Sequence, residues 1–340
     1  MIRSNAPHLL AAALSHPGEA GKNNEDRLDL AAYRLESDGT PALVAVIADG
    51  IGGHQAGEVA AEVVVQSFLS ALSCFDGRDP TAELEAATME AARAVARAAA
   101  ESAAREGMGS TLCAAWIIGL RLYTVSVGDS RIYLLRDRQL RQLTVDHTWV
   151  QEAIEHNIIP ASAAHGHPNA HILRRHLGSL QESQPDLRLR LSQEETAEQS
   201  EANQGLPLQP GDRVLLCSDG LTDLVEDTEI ADILNRRSPA QAVQMLVDKA
   251  RNRGGYDNIS VILLQVPLLG QKPGRAAMPR LGRWIRFLLG SCVSILVLLT
   301  LVAAAMAAAW WYGIGPWAGT EPTPVVATAT PGPFTPSPLP

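Results

Sequence analysis

A chain of 340 residues, 46% of them apolar, is long enough to bury one large core or two small ones, which excludes global disorder. Its formal charge of −9 hides an asymmetry, because after Val266 the charged residues are Lys272, Arg275, Arg280, Arg283, Arg286 and the single acid Glu321. Residues 1–266 are therefore more acidic than the chain as a whole. Without a basic stripe or interleaved aromatics, such a surface excludes nucleic acid as a partner.

In chain order, the first apolar run, 9–14, is too short for the core of a signal peptide, and Arg3 is the one charge before it. Residues 42–48 are apolar, include β-branched side chains and end at Asp49, which predicts a buried strand broken by Gly52 and Gly53. Apolar positions at helical spacing predict a helix over 57–72. The alanine-rich stretch 81–105, with acids early and arginines late, predicts a second that packs on the first. Short strands follow at 111–118, 121–127 and 131–135, joined by Gly119-Leu120 and Gly128-Asp129-Ser130 into a meander. A helix is expected over 146–156, then strand-like segments at 186–191 and 213–217, with 194–205 an acidic surface insertion lacking any period. Helices at 228–237 and 239–252 lead to a closing strand at 259–266. Trp116 and Trp149 read as core. Strands and helices in blocks, without strict alternation, favour an antiparallel α+β arrangement over a parallel sheet.

Beyond residue 266 the composition changes. Residues 267–286 gather the basic side chains among Pro273, Gly274, Pro279 and Gly282 and read as a basic juxtamembrane linker. From 287 to 314 no charged residue occurs, a stretch longer than the roughly 20 apolar residues that cross a bilayer. A single transmembrane helix is expected there, with Trp284 before it and Trp310, Trp311, Tyr312 and Trp317 at its far end as interfacial anchors. Basic residues precede this span and none follows it, so the positive-inside rule places residues 1–286 in the cytoplasm. The Pro- and Thr-rich tail, 315–340, is expected outside as a disordered stub. The expected location is thus the cell membrane, single-pass. Cys74, Cys113, Cys217 and Cys292 are scattered, with no C-x-x-C pair, and read as thiols in a reducing compartment.

The chemistry lies in carboxylates set beside turn-formers: Glu25 and Asp26 after Asn24, Asp49 before Gly50, Asp219 between Ser218 and Gly220, and Asp257 before Asn258. An aspartate that ends an apolar strand has no role in core packing, because burying an unpaired carboxylate costs several kcal/mol. It calls for a cation. Several such strand ends brought together make an oxygen cage of the kind that hard ions such as Mg²⁺ and Mn²⁺ prefer, and a metal-dependent hydrolase is the expected class.

In order, N-N-E-D at 23–26, D-G-I-G-G-H at 49–54, G-S-T at 109–111, G-D-S-R at 128–131, L-T-x-D-H at 143–147, S-D-G-L at 218–221 and D-N-I-S at 257–260 resemble the PP2C (PPM) family of metal-dependent serine/threonine phosphatases. The resemblance runs over about residues 8–266 and implies a β-sandwich of two antiparallel sheets with helices on the outer faces. It implies that Asp49 bridges two Mn²⁺ or Mg²⁺ ions, that Asp219 and Asp257 complete one site, and that the Gly50 carbonyl serves the other. Glu25 and Asp26 would hold waters of the ions. Asp129 and Asp223 correspond to positions that can hold a third, looser ion, although Asp223 could equally cap the helix that follows, and Arg131 reads as a structural partner of a neighbouring carboxylate more than as a substrate contact. The implied reaction is hydrolysis of phosphoserine and phosphothreonine in proteins, and a single-span anchor is typical of bacterial members that oppose membrane serine/threonine kinases. The alternative is a pseudophosphatase that binds phosphoproteins without turnover.

Three departures qualify the resemblance. Gly21 stands where many members carry a phosphate-gripping arginine, so Lys22 is left to supply a point charge without bidentate geometry. Ile51 replaces the histidine of some eukaryotic members, leaving His54 as a proton source or a surface residue. His165, His167, His171 and His176 invite a zinc reading but lack partners at suitable spacing. The resemblance places that stretch in a flap, where Arg174 and Arg175 could attract the substrate phosphate.

Overall fold

In the computed structural model, which describes residues 1–52, 56–164, 167–178 and 184–268, the chain begins with β1 (Ile2–Arg3), β2 (Leu10–His16), β3 (Arg27–Arg34), β4 (Pro41–Ala48) and β5 (Gly50–Ile51). Two long helices follow, α1 (Ala56–Leu72) and α2 (Pro80–Ala100), then β6 (Gly109–Ser110), β7 (Leu112–Ile118), β8 (Arg121–Val127), β9 (Arg131–Arg136) and β10 (Gln139–Gln142). The remainder comprises α3 (Trp149–Glu155), α4 (Ala197–Ala202), β11 (Leu206–Pro207), β12 (Arg213–Cys217), α5 (Asp219–Thr222), α6 (Asp227–Arg236), α7 (Pro239–Asn252) and β13 (Ile259–Gln265).

All pairings between these strands are antiparallel. One sheet runs β1-β3-β4-β7-β8-β11, a second β10-β9-β12-β13-β2, and β5 pairs with β6. The pleat sends alternate side chains to opposite faces. In β4, Leu43, Ala45 and Ile47 face a core shared with Val214 and Leu216 of β12 and Ile262 and Leu264 of β13. Val44 and Val46 turn the other way, onto Val64, Phe68 and Leu72 of α1 and Leu84 of α2. The second sheet sends Leu215, Val261 and Leu263 outward onto Ile230 and Leu234 of α6 and Leu246 of α7. Four layers result, helix, sheet, sheet, helix, and they are the α+β architecture expected from the sequence. The helices start where local chemistry allows: Asp79 accepts from the Thr81 and Ala82 N–H groups ahead of α2, and Ser238 with Gln241 boxes the start of α7.

The corrections are local. β2 and β3 were not expected from sequence. β2 has no β-branched residue and β3 carries Arg27 and Asp29, yet each forms because its ladder partner, β13 or β4, supplies the hydrogen bonds. The 186–191 segment is no strand: it makes one isolated bridge, Asp186 to Ser126, and the Asp186 carboxylate binds His147 and Arg188. Within 194–205 lies α4, closed by a Thr196–Gln199 capping box, and Gln204 donates to the Thr124 carbonyl of β8, so this stretch is docked. The second long helix ends at Ala100, and the 146–156 helix begins at Trp149 because Thr148 caps it. Trp116 is fully buried, 4.7 Å edge-on to Phe75, whereas Trp149 is only half-buried and stacks on His167 at 5.1 Å. Cys113 and Cys217 are buried and Cys74 is exposed.

Among the described residues no helix is long and apolar enough to cross a membrane. The expected span at 287–314, the tail at 315–340 and all but the first residues of the linker lie outside the described residues. Because the Ile262 side chain fills the space between the sheets, Ile262→Ala should cost about 2–5 kcal/mol of stability, read as a lowered urea midpoint at unchanged slope.

Candidate metal centre

Asp49 follows β4 directly, and its main chain is clamped to the start of β7. Its N–H donates to Thr111 Oγ1 at 3.0 Å, and its carbonyl accepts from the Thr111 N–H at 2.8 Å and from Ser110 Oγ at 2.9 Å. None of these bonds uses the carboxylate. Glu25 and Asp26 lead into β3, whose Arg27 lies opposite Ala48 in the ladder, so all three acids meet at one sheet end. Ser218 and Asp219 close β12 while Asp257 and Asn258 open β13, and the antiparallel pairing of these strands puts both acids at the matching end of the other sheet.

Uncharged side chains tie the loops together. Asn258 Oδ1 accepts from the Glu25 N–H at 2.7 Å, and its Nδ2 donates to the Pro17 and Asn23 carbonyls at 3.1 Å each. Ser218 Oγ donates to Asp26 Oδ2 at 2.9 Å and accepts from the Ser260 N–H at 3.0 Å. Asn24 Nδ2 donates to Ser15 Oγ at 2.8 Å. Arg27 binds Glu58 and Glu62 of α1 and donates to the Asn24 and Asp26 carbonyls at 2.9 and 2.8 Å, which anchors the acidic loop to the helix layer. In the first turn of α1, Gly57 lies so close that a β-carbon there would stand 2.5 Å from Glu25 Oε2 and 2.9 Å from the Gly50 carbonyl oxygen. Only a glycine lets those two oxygens approach the helix in this way.

Asp129 follows β8 in a braced turn. The Gly128 N–H donates to His147 Nδ1 at 3.0 Å, which leaves Nε2 as the donor to Asp186 Oδ2 at 2.9 Å. Burial would raise the Asp186 carboxyl, but the bonds from His147 and Arg188 outweigh it and hold the group below its ordinary value. Arg131 is committed to Asp146 by two bonds of 3.0 and 2.7 Å to Oδ2, the structural role expected of it from sequence.

The electrostatics of the acids is frustrated. Burial, then the charges of Asp26, Asp219, Asp129 and Asp257, push Asp49 well above the ordinary carboxylate range. Asp219 is raised in the same way, by burial and then by Asp129, Asp223, Asp257 and Asp26. Burial lifts Asp26 to about 6 against the pull of Ser260 and Ser218, and lifts Asp129 to about 7 with help from Asp146. Oδ1 of Asp26 and Oδ1 of Asp219 are buried with no hydrogen-bond partner. Electrostatically coupled buried carboxylates, with two unpartnered oxygens among them, fit hard divalent cations bound through oxygen.

The structure thus draws Asp26, Asp49, Asp129, Asp219 and Asp257 into one electrostatic cluster, with Glu25 and the Gly50 carbonyl side by side against Gly57. Asp223 stands at the end of α5, 3.3 Å from His171. Lys22 Nζ reaches 3.8 Å from Asp257 Oδ1. Gly21 turns with φ of 72°, a left-handed conformation that strains any residue with a side chain, so the glycine suits this turn and an arginine would not. Arg174 is taken by Glu152 at 2.8 Å, and Arg175 is exposed. Among the described residues the flap histidines do not gather: His167 lies on Trp149, His176 against Gly109 and His171 beside Asp223. His54 and His165 lie outside the described residues. Sequence reasoning missed Asn258, Ser218, Thr111, Ser110 and Arg27 as organisers of the site, although each stands within or beside a motif already singled out.

A model of the family described as protein phosphatase 2C matches residues 18–249. The serine/threonine protein phosphatase PstP of Mycobacterium tuberculosis (strain ATCC 25618 / H37Rv) is 36% identical over 258 residues, which cover 76% of this chain and 45% of that protein. This chain therefore spans less than half the length of that relative. The serine/threonine phosphatase stp of Listeria welshimeri serovar 6b is 34% identical over 231 residues, 66% of this chain and 85% of that protein. Among solved structures, the catalytic domain of PstP in complex with 2 manganese ions superposes with a TM-score of 0.62 at 34% identity, covering 76% of this chain and 98% of the other.

Ionising Asp26 in its buried position costs stability when no cation is bound. Its carboxyl rises from 3.8 unfolded to about 6 folded, so the folded state holds its proton longer, and stability falls as pH rises through that window. In chelator-treated protein, Asp26→Asn should therefore raise the melting temperature at pH 7.5, and the gain should shrink towards pH 5. A gain independent of pH would contradict this assignment.

Proposed function

We propose that this chain, which belongs to the protein phosphatase 2C family, hydrolyses phosphoserine and phosphothreonine in proteins with the help of two divalent cations, Mn²⁺ or Mg²⁺. The observation that carries the reading is the convergence of Asp26, Asp129 and Asp257 on Asp49 and Asp219, whose proton affinity they raise, with two buried oxygens left unpartnered. Two cations held there supply the charge that activates a water and neutralises the phosphoryl oxygens, so no protein nucleophile is required.

The side chains have distinct parts in this reading. Asp49, whose main chain is clamped to the start of β7, would hold the cations together with Asp219, Asp257 and the Gly50 carbonyl. Glu25 and Asp26 would accept hydrogen bonds from the surrounding waters and orient them. Ser218 holds the Asp26 carboxylate and Asn258 the Glu25 main chain, which is the pre-organisation that makes charge stabilisation effective. Lys22, on the exposed lip beside Asp257, offers a point charge to the incoming phosphate but no fork. A pseudophosphatase would have no need to keep the whole acidic set.

Anchoring belongs to the same proposal. The uncharged stretch 287–314 and the basic residues before it support a single span with the phosphatase domain on the cytoplasmic side, close to membrane serine/threonine kinases whose products it would reverse. If so, the full chain stays in the membrane pellet after alkaline carbonate extraction, and recovery in the supernatant would refute the anchor.

Kinetics test the chemistry. With p-nitrophenyl phosphate and Mn²⁺, Asp49→Asn and Asp257→Asn should lose about 10²-fold or more in kcat with unchanged circular dichroism, while Lys22→Ala should raise KM and leave kcat nearly intact. Wild-type protein without metal-dependent turnover would leave only the binding role. Near-normal rates in either aspartate variant would remove the site assignment.

A further inference from the structure

Tyr256 stands directly before Asp257 and is 65% exposed, the one Phe, Trp or Tyr among the described residues that is left in solvent rather than buried or half-buried. A tyrosine ring ordinarily gains from burial. Its place is imposed by the backbone around it: the Gly254 and Gly255 N–H groups donate to the Arg251 and Ala250 carbonyls at 3.1 and 3.2 Å, and the Gly255 carbonyl accepts from the Glu19 N–H at 2.7 Å. Gly18 packs so closely that a β-carbon there would stand 2.3 Å from the Asp257 carbonyl oxygen, and Asn258 Nδ2 donates to the Pro17 carbonyl at 3.1 Å. The loops 17–22 and 254–258 therefore interlock into one lip. The ring lies against Gly254, where a β-carbon would stand 2.3 Å from Cε1 and 2.5 Å from Cζ. Part of it rests on bare backbone, and most of its surface stays open.

We propose that Tyr256 determines substrate specificity, its ring serving as a platform for an apolar side chain of the phosphoprotein within about three positions of the phosphorylated residue. The inference rests on the reading above, because a phosphorylated side chain brought to Asp257 lays its own chain across this lip. Extended peptide advances about 3.3 Å per residue, and adjacent Cα atoms such as those of Tyr256 and Asp257 are about 3.8 Å apart. The ring thus meets close neighbours of the phosphorylated residue, not a distant docking segment. Lys22 belongs to the same lip, with Nζ 3.8 Å from Asp257 Oδ1, so a cation for the phosphate and a ring for its neighbours adjoin one acid. An open aromatic face takes apolar or cationic side chains. A centre holding two divalent cations repels a basic residue placed beside it, and Arg251 adds a guanidinium to the lip, 2.6 Å from Glu19. An aliphatic or prolyl side chain meets no such opposition, and a tyrosine already fixed in place loses little freedom on contact.

Affinity tests the platform without reference to turnover. Two short peptides carry a non-hydrolysable phosphonate in place of phosphoserine, one with leucine and proline close on either side of it and the other with glycine and serine there. Titrated into the purified full chain loaded with Mn²⁺, the apolar peptide should bind wild type about tenfold more tightly than the polar one. Tyr256→Ala should shrink that ratio to about twofold or less, whereas Tyr256→Phe keeps it, with the same circular dichroism in all three proteins. Equal ratios in wild type and Tyr256→Ala, a stronger preference for a lysine-flanked peptide, or no binding of either peptide would overturn the proposal. Hydrolysis is read separately, as phosphate released from the corresponding phosphoserine peptides: wild type that releases none with Mn²⁺ refutes the proposed chemistry, while the affinity ratio still decides the role of Tyr256.

Discussion

Mutual repulsion among buried carboxylates is the constraint around which the molecule is arranged. Asp49 and Asp219 are each driven far up in proton affinity by burial and by the other acids, and left alone such a cluster would spread or protonate. It is kept in place by uncharged groups. Thr111 and Ser110 hold the Asp49 backbone, Ser218 holds Asp26, and Asn258 holds the Glu25 N–H together with two carbonyls of the preceding loop. Hydroxyl and amide groups can do this without neutralising the acids, which keeps the negative charge available to cations.

The sandwich explains why acids from such distant parts of the chain meet. Two sheets pack through Leu43, Ile47, Leu216 and Ile262, so the ends of β4 and β12 and the starts of β3 and β13 are brought to one edge of a shared core. Those strands are among the most buried segments, and their ends inherit that rigidity. The histidine and arginine of the neighbouring turns are consumed in support: His147 and Arg188 on Asp186, Arg131 on Asp146. Little cationic charge is thus left within the cluster itself.

Much of this was legible in residue order. The run 42–48 reads as a strand because its apolar character is continuous, as expected where both faces are covered, and Asp49 stands out because it breaks that run. The helices at 57–72 and 239–252 are visible through their spacing. β2 and β3 were not, because Leu10–His16 is mostly alanine and leucine and Arg27–Arg34 mixes charges with apolar residues; their strand character comes from the ladder partner. The acids of the site were visible as chemistry without a packing role. The serines and Asn258 were not, since a hydroxyl or amide beside a turn has many local uses and only tertiary contact shows which one applies. Trp149 was misjudged because aromatic size alone suggests burial, whereas its ring carries His167 on the half-open side of α3.

The same crowded acids dictate an order of events. A phosphorylated side chain is itself an anion, and before any cation arrives the acids around Asp49 and Asp219, ionised or protonated, offer it no compensating positive charge. Under the proposed function, metal loading would favour later capture of substrate, because the cations replace repulsion with attraction. On the same reading, the supply of divalent ions would then regulate turnover through the charge of the cleft, with no separate inhibitor required.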